Sequence, residues 1–544
     1  FAMTFGKACE TFSDPLVIMQ GSFNFLITLV TLSSYSILAY FAFPFFSEIL
    51  DTLQEKKIKK PIENPFIKFL ENRPFVSSFC LLCFAWSPFL FAFFPGLFAP
   101  GDTLNQICQF FNIPEATSNS IVLINPQVLL NEHHPVIHTL LMGACTLFGI
   151  TFFDSCNLGY FTYTLLQFLC VIATFSYGIS FLKQYQVNVF FRFALLIFIL
   201  IMPWFCEYAL LGTKDTLFAC SLLLLCLSLI KLATNHSMRY LDWILLVISL
   251  LGFCLLKKSY IVLAVVLLLL VIFRIPKIHK LGLIKTSTLA LITVLLIQNI
   301  AFPFMQVSPG SPREMLSIPA QQTARCVVFH EDQLSQNQKD TIDKVFDYSA
   351  MQSSYNPYIS DPIKNTYNKY ATKEDLKNYF STWAELLSEF PSTCVSATLM
   401  NYYGYFYPTT IEKYDYNLDT SRNSIYQIND QLNFSHLDTF PTNILNKLFI
   451  FGQEFWNTAP VISLFTQGST YVWVLTFLSL YLFQRRHFAR FSVLPVVLVL
   501  LVTLIGPCNF IVRYIFPIAF VVPFLLLISL AKPPMKRKLK STTN

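Results

Sequence analysis

Eleven stretches of this chain are apolar over membrane length or close to it, near 22–46, 75–97, 158–182, 189–210, 215–232, 240–256, 259–273, 281–302, 468–484, 491–507 and 510–530. A helix needs about 20 predominantly apolar residues to cross the hydrocarbon core of a bilayer. In lipid every backbone N–H and C=O must be satisfied within the protein, which leaves helices for segments of this kind. The composition agrees. Of 544 residues, 54% are hydrophobic and 13% charged, where a soluble domain carries about a quarter charged. The expectation is an all-α polytopic membrane protein of about 11–13 transmembrane helices.

Lysine and arginine in short loops set the orientation. Lys56, Lys57, Lys59, Lys60, Lys68 and Arg73 crowd one loop, Arg274, Lys277, Lys280 and Lys285 a second, and Arg485, Arg486 and Arg490 a third, while the tail reads KPPMKRKLK. All four are expected to be cytoplasmic, so the formal charge of +7 reflects topology and not a nucleic-acid partner. Three parts follow: an N-terminal transmembrane module over 1–302 with a first external loop at 98–157, a polar external domain at 303–450, and C-terminal spans with a basic tail at 451–544. A further apolar run, 135–153, would break the parity between anchors if it crossed. It is therefore read as a helix along the outer membrane surface. The chain begins at Phe1 and not at methionine, so a missing upstream start, with room for a further helix, is expected.

With that topology, unusual polar groups gather at the outer face. Asp102, His133 and His134 fall in the first external loop. Lys214 and Asp215 fall in an outer turn, Lys257 and Lys258 where two short apolar runs meet, and Arg513 just inside the last helix. A charge at membrane depth costs about 2.5–3.5 kcal/mol on insertion scales, so it has a partner or a task. For Lys257 and Arg513 the alternatives are snorkelling, an internal ion pair, or a ligand. Asp102 could simply cap a short helix, and the histidines could be interfacial. Several cations on the face of one aspartate point instead to an anionic ligand, with a lipid phosphate the obvious candidate.

In the external region, Thr372 and Asp375 form a capping-box pattern ahead of a helix expected to turn Phe380, Trp383, Leu387 and Phe390 to one side. The tyrosine-rich 401–408 is expected at headgroup level. Cys326 and Cys394 could pair; the remaining cysteines lie mostly in apolar runs, with no zinc-type spacing.

FFPGLFAPGDTLNQ (93–106), HHPVIHTLLMGACTLFG (133–149), TKDTLF (213–218) and RYIFPIAFVVPFLL (513–526), in this order and with a large external region before the last spans, resemble the GT-C class of membrane glycosyltransferases, within it an uncharacterised bacterial branch. The resemblance runs from about residue 75 onward and rests on the order of short motifs. It implies an inverting transfer at the outer face of the cell membrane, from a sugar on polyprenyl phosphate or pyrophosphate to a glycan, lipid or protein acceptor. It also implies membrane-parallel helices in the first loop. Asp102 matches the acidic residue that serves as catalytic base, while Lys214, Lys257, Lys258 and Arg513, with His133 and His134, are the candidates for the lipid phosphate or acceptor. Many relatives show paired acidic residues where this chain reads Gly101-Asp102-Thr103, which puts direct metal binding in doubt while leaving a divalent cation open. Two rivals remain: a lipid-linked glycan polymerase or ligase, and a transporter or flippase, whose functional polar groups should lie near mid-membrane.

Overall fold

The computed structural model describes residues 2–55, 65–99, 101–114, 121, 123–234, 238–258, 260–408, 426–435, 440–506 and 508–532. Lys56, Lys57, Lys59, Lys60 and the tail beyond Lys532 lie outside these residues.

The chain is almost entirely helical. The first half contains α1 (Ala2–Phe12), α2 (Ser22–Glu55), α3 (Pro65–Asn72), α4 (Pro74–Ala92), α5 (Asp102–Phe110), α6 (Val136–Phe153), α7 (Cys156–Gln184), α8 (Val189–Ile201), α9 (Pro203–Leu210), α10 (Lys214–Ala233), α11 (Tyr240–Leu255), α12 (Tyr260–Ile272) and α13 (Lys277–Leu296), which runs on through a π turn into α14 (Phe302–Phe304). The region expected to be external folds as α15 (Ser317–His330), α16 (Gln336–Asp343), α17 (Tyr348–Ser354), α18 (Asp361–Lys364), α19 (Lys373–Glu389) and α20 (Pro391–Phe406). A two-stranded hairpin, β1 (Tyr426–Gln427) and β2 (Asn433–Phe434), precedes α21 (Phe440–Thr458), α22 (Gly468–Gln484), α23 (Leu494–Ile505) and α24 (Val512–Ser529).

Among the described residues, seven helices are long and apolar enough to cross a membrane: α2, α4, α6, α7, α10, the continuous Lys277–Phe304 and α24. The protein is a multi-pass α-helical membrane protein. The expected single run at 189–210 is broken, because Pro203 lacks an N–H and forces Met202 into an extended conformation (ψ 114°). The two pieces bend by 58°.

α10 is the hub. Its sequence is apolar all round, with small Ala, Cys and Ser residues between leucines, the pattern of a helix buried on every side. Aromatic packing closes the bundle around it: Phe175 of α7 stacks on Phe520 of α24 at 4.2 Å, and Tyr208 of α9 on Phe516 at 3.9 Å. By contrast α2 leaves nearly all of its apolar surface exposed, as a helix facing lipid does.

α6 and α7 form a tight hairpin. Asp154 takes the left-handed conformation (φ 48°), which its short polar side chain tolerates, and Ser155 caps α7 by accepting from the Leu158 N–H at 3.2 Å. α6 packs on the stretch of α7 that overhangs α4. There Tyr160 Oη donates to Leu97 O at 2.6 Å and Thr164 Oγ1 to Pro95 O at 3.0 Å, both beyond the end of α4.

The external helices have their own core, built from residues such as Ala320, Val327, Phe346, Tyr379 and Leu386. The Thr372–Asp375 capping box forms, but the inward face of α19 is turned relative to expectation. Tyr379, Thr382 and Leu386 are buried, and Phe380 is 41% exposed. The Tyr379 hydroxyl finds Thr323 Oγ1 at 3.1 Å, so its polar end is satisfied inside the core. Cys326 and Cys394 are adjacent free thiols, Sγ to Sγ 3.6 Å. The tyrosines of 401–408 seat against protein: Tyr402 donates to Leu504 O at 2.6 Å and Tyr405 to Cys508 O at 2.9 Å, joining α20 to the end of α23 and the loop before α24.

Gly149 and Gly159 let α6 and α7 touch backbone to backbone. A Cβ on Gly149 would lie 2.1 Å from Gly159 N. Gly149→Ala is expected to cost about 1–3 kcal/mol through overpacking, read as a lower Tm of the purified protein. An unchanged Tm would mean the two helices do not approach this closely.

Candidate functional site

Three isolated backbone bridges join remote parts of the chain: Leu97 with Leu211, Asn131 with Ser308, and Ile359 with Cys508. Each partner stands a few residues upstream of a charged or imidazole side chain, and all of these meet in one cavity of about 510 Å³. The first bridge aligns Asp102 with Lys214. Thr103 tightens it, accepting from the Ala99 N–H and donating to Gly212 O, both at 2.8 Å. The second sets His133 and His134 beside Arg313 and Glu314. The third brings Asp361 and Lys364 to Arg513 and Tyr514.

Asp102 does not cap its helix. Gly101 takes that place at φ 75°, and the carboxylate makes no capping bond. Instead its Oδ2 accepts from Arg513 Nη1 at 2.7 Å and lies 3.5 Å from Lys214 Nζ. α5, α10 and α24 all begin at this point, so the positive ends of three helix dipoles add to the two cations. Burial alone would raise the Asp102 carboxyl, but Lys214 and Arg513 hold it well below the usual carboxylate range.

His134 Nδ1 lies 3.4 Å from Lys214 Nζ. Burial, reinforced by that ammonium, keeps His134 well below its ordinary value of 6.5. His133 is lowered by burial too, against the pull of Glu314, whose Oε1 stands 4.0 Å away. The rings meet edge to face at 4.7 Å, and both line the cavity.

The opposite wall comes from the external helices. Arg313 Nε donates to Glu314 Oε1 at 3.1 Å, and Lys364 Nζ bridges Glu314 at 2.9 Å and Asp361 at 2.7 Å. Burial would lower Lys364, yet these two carboxylates raise it above its ordinary value. Sequence reasoning missed this wall because its residues sit in an otherwise ordinary polar domain.

Two candidates stand elsewhere. Lys257 is not free to meet a ligand in the main cavity: it pairs with Asp215 and lies over the Phe218 ring at 5.5 Å. Lys258 is 3.6 Å from Glu132. Both line a second cavity of about 250 Å³ that shares His133, His134, Lys214 and Glu314 with the first and adds Glu132, Gln298 and an apolar wall of Val136, Leu255, Leu256 and Phe302. Among the described residues no three His, Cys, Asp or Glu side chains converge as a metal-binding group.

A buried chain of side chains holds the two halves of the site in register. Gln106 Nε2 donates to Asp102 O at 3.1 Å, and Gln106 Oε1 is 2.6 Å from His138 Nδ1. His138 Nε2 is 2.7 Å from Tyr163 Oη, which donates to Gln167 Oε1, and Gln167 Nε2 donates to Leu211 O at 2.8 Å. Buried networks of this kind rigidify the segments that they join.

The lowered His134 has a consequence for stability. Below about pH 6.5 the unfolded chain protonates this histidine while the folded protein does not, so the unfolded state binds more protons and stability falls as pH falls. Tm measured from pH 7.5 to 5.5 should drop more steeply for the wild type than for His134→Gln. Parallel curves would show that His134 is not held neutral.

No curated protein and no solved structure matches the chain. A family profile described as a family of unknown function, DUF6020, matches residues 121–542, a span that includes His133, His134, Lys214, Arg313, Glu314, Asp361, Lys364 and Arg513 but not Asp102. That match covers well over half of the chain, and the protein belongs to the DUF6020 family.

Proposed function

We propose that this protein is a GT-C-type membrane glycosyltransferase, moving a sugar from a polyprenyl-linked phosphate carrier to an acceptor hydroxyl at the outer face of the membrane. The observation that carries this reading is the pairing of two cavities. One is charged, with the Asp102 carboxylate held between two cations at convergent helix starts; beside it lies a second that adds an apolar wall of Val136, Leu255, Leu256 and Phe302 to its own charged pairs. A lipid phosphate with its chain has these two characters at these two places.

The chemistry follows from the ion pairs. A donor phosphate competes with Asp102 for Arg513 and Lys214. Once they engage the phosphate, Asp102 loses the cations that depress its pKa and becomes a better base. It then takes the proton of the acceptor hydroxyl as that oxygen attacks the anomeric carbon, while the cations hold the charge of the departing phosphate. Attack opposite the leaving group inverts the anomeric centre.

The topology supports the same reading. α2, α4, α7, α10, the continuous α13–α14, α24, the bent α8–α9 pair and the shorter α11, α12, α22 and α23 make eleven crossings, with α6 along the membrane surface. That count leaves every basic loop at the cytoplasmic end and the cavity outside. Cysteines placed at Asn131 and Asp154 should then both react with an impermeant reagent added outside. Reaction of the 154 position from the cytoplasm alone would make α6 a true span.

Asp102→Asn separates base from bystander. Turnover from a polyprenyl-phosphoryl sugar should fall about 10²–10⁴-fold, the contribution of a general base. Donor binding should hold or tighten, because the amide no longer competes for Arg513 and Lys214. Normal turnover in a folded variant would remove Asp102 from the mechanism.

A further inference from the structure

The glycosyltransferase reading leaves open which kind of lipid carrier the site takes, and the charges around the cavity bear on that choice. Four cations line it, Lys214, Arg313, Lys364 and Arg513, against three carboxylates, Asp102, Glu314 and Asp361. The two walls are not alike. Arg313 and Lys364 share Glu314 and Asp361 among themselves, so the external wall is balanced. Lys214 and Arg513 share Asp102 alone. The surplus is one positive charge, and it sits where α5, α10 and α24 begin. The adjoining cavity adds nothing to the balance, since Lys257 is matched by Asp215 and Lys258 by Glu132.

We propose that this cavity is built for a singly charged phosphodiester, the linkage of a polyprenyl monophosphate sugar, and not for the doubly charged diester of a pyrophosphate carrier. The inference rests on the transferase reading above and narrows its donor. A buried charge is tolerated where it is matched and costly where it is not. One negative charge on the donor matches the one positive surplus.

The match persists through the reaction. The bond from the anomeric carbon to the phosphate oxygen breaks, and its electron pair stays on the phosphate, which becomes a monoester with two negative charges. The acceptor oxygen bonds the anomeric carbon and its proton goes to Asp102. The cavity then holds four cations, two carboxylates and a dianion, again balanced. A pyrophosphate donor would leave one negative charge unmatched before transfer and after it, and would call for an added cation.

The test compares farnesyl methyl phosphate with its pyrophosphate analogue of the same chain, one methyl-capped phosphate longer. Neither probe carries a sugar, so the identity of the transferred sugar does not enter. Binding to the full-length protein in detergent is measured in EDTA and again with Mg²⁺. The phosphodiester should bind about tenfold or more tightly than the pyrophosphate, the effect of one unmatched buried charge, and Lys214→Gln should abolish most of its affinity. If the pyrophosphate binds as tightly or more tightly in either condition, the monophosphate assignment fails while the lipid-phosphate reading stands. If neither probe binds, the lipid-phosphate reading itself falls.

Discussion

The Asp102 carboxylate, shared between Arg513 and Lys214, draws together three segments that the chain keeps far apart. Arg513 and Lys214 both stand at the mouths of buried helices, where an unmatched cation is expensive. Asp102 answers both, and it does so from the first residue of α5, at a point where three helix dipoles favour a negative charge. The rest of the cavity is arranged to keep this one group in place. The backbone bridges set the register of each contributing segment, and the buried chain from Gln106 through His138 and Tyr163 to Gln167 ties the Asp102 turn to the turn that carries Lys214.

Elsewhere the fold resolves its buried charges in closed pairs. Lys231 meets Asp242, Arg192 meets Glu71, and Lys257 meets Asp215. Each pair is complete, and none lines the larger cavity. Such pairs satisfy the cost of burial and go no further. Asp102 differs because the two cations that it serves both line that cavity, which leaves the site with a charge still to be answered. The same physics therefore gives structure in one place and affinity for an anion in another.

The external helices are more than a cap on the bundle. They carry Arg313, Glu314, Asp361 and Lys364 to the cavity, so the site forms between a polar helical unit and the ends of membrane helices. The tyrosines of α20 make that junction firm, since Tyr402 and Tyr405 hold the end of α23 and the loop that leads directly into Arg513. A ligand bound here touches both parts at once.

The sequence by itself determined that this chain is helical and membrane-embedded, because length, apolar continuity and the scarcity of charge leave no other way to satisfy the backbone in lipid. It also marked Asp102, His133, His134, Lys214 and Arg513, since polar groups stand out against such a background. What it could not decide was pairing. Lys257 and Lys214 look alike in the sequence, yet Asp215 neutralises the first and turns the second's neighbourhood toward Asp102. Arg313 and Lys364 carried no mark at all, because charges in a polar domain are ordinary until a bridge such as Ile359 with Cys508 brings them to a membrane helix. The turned face of α19 has the same cause: whether Tyr379 faces inward depends on Thr323 being there to receive its hydroxyl. Periodicity and composition act along the chain, while charge compensation and hydrogen-bond satisfaction act across space, and only the tertiary structure fixes those neighbours.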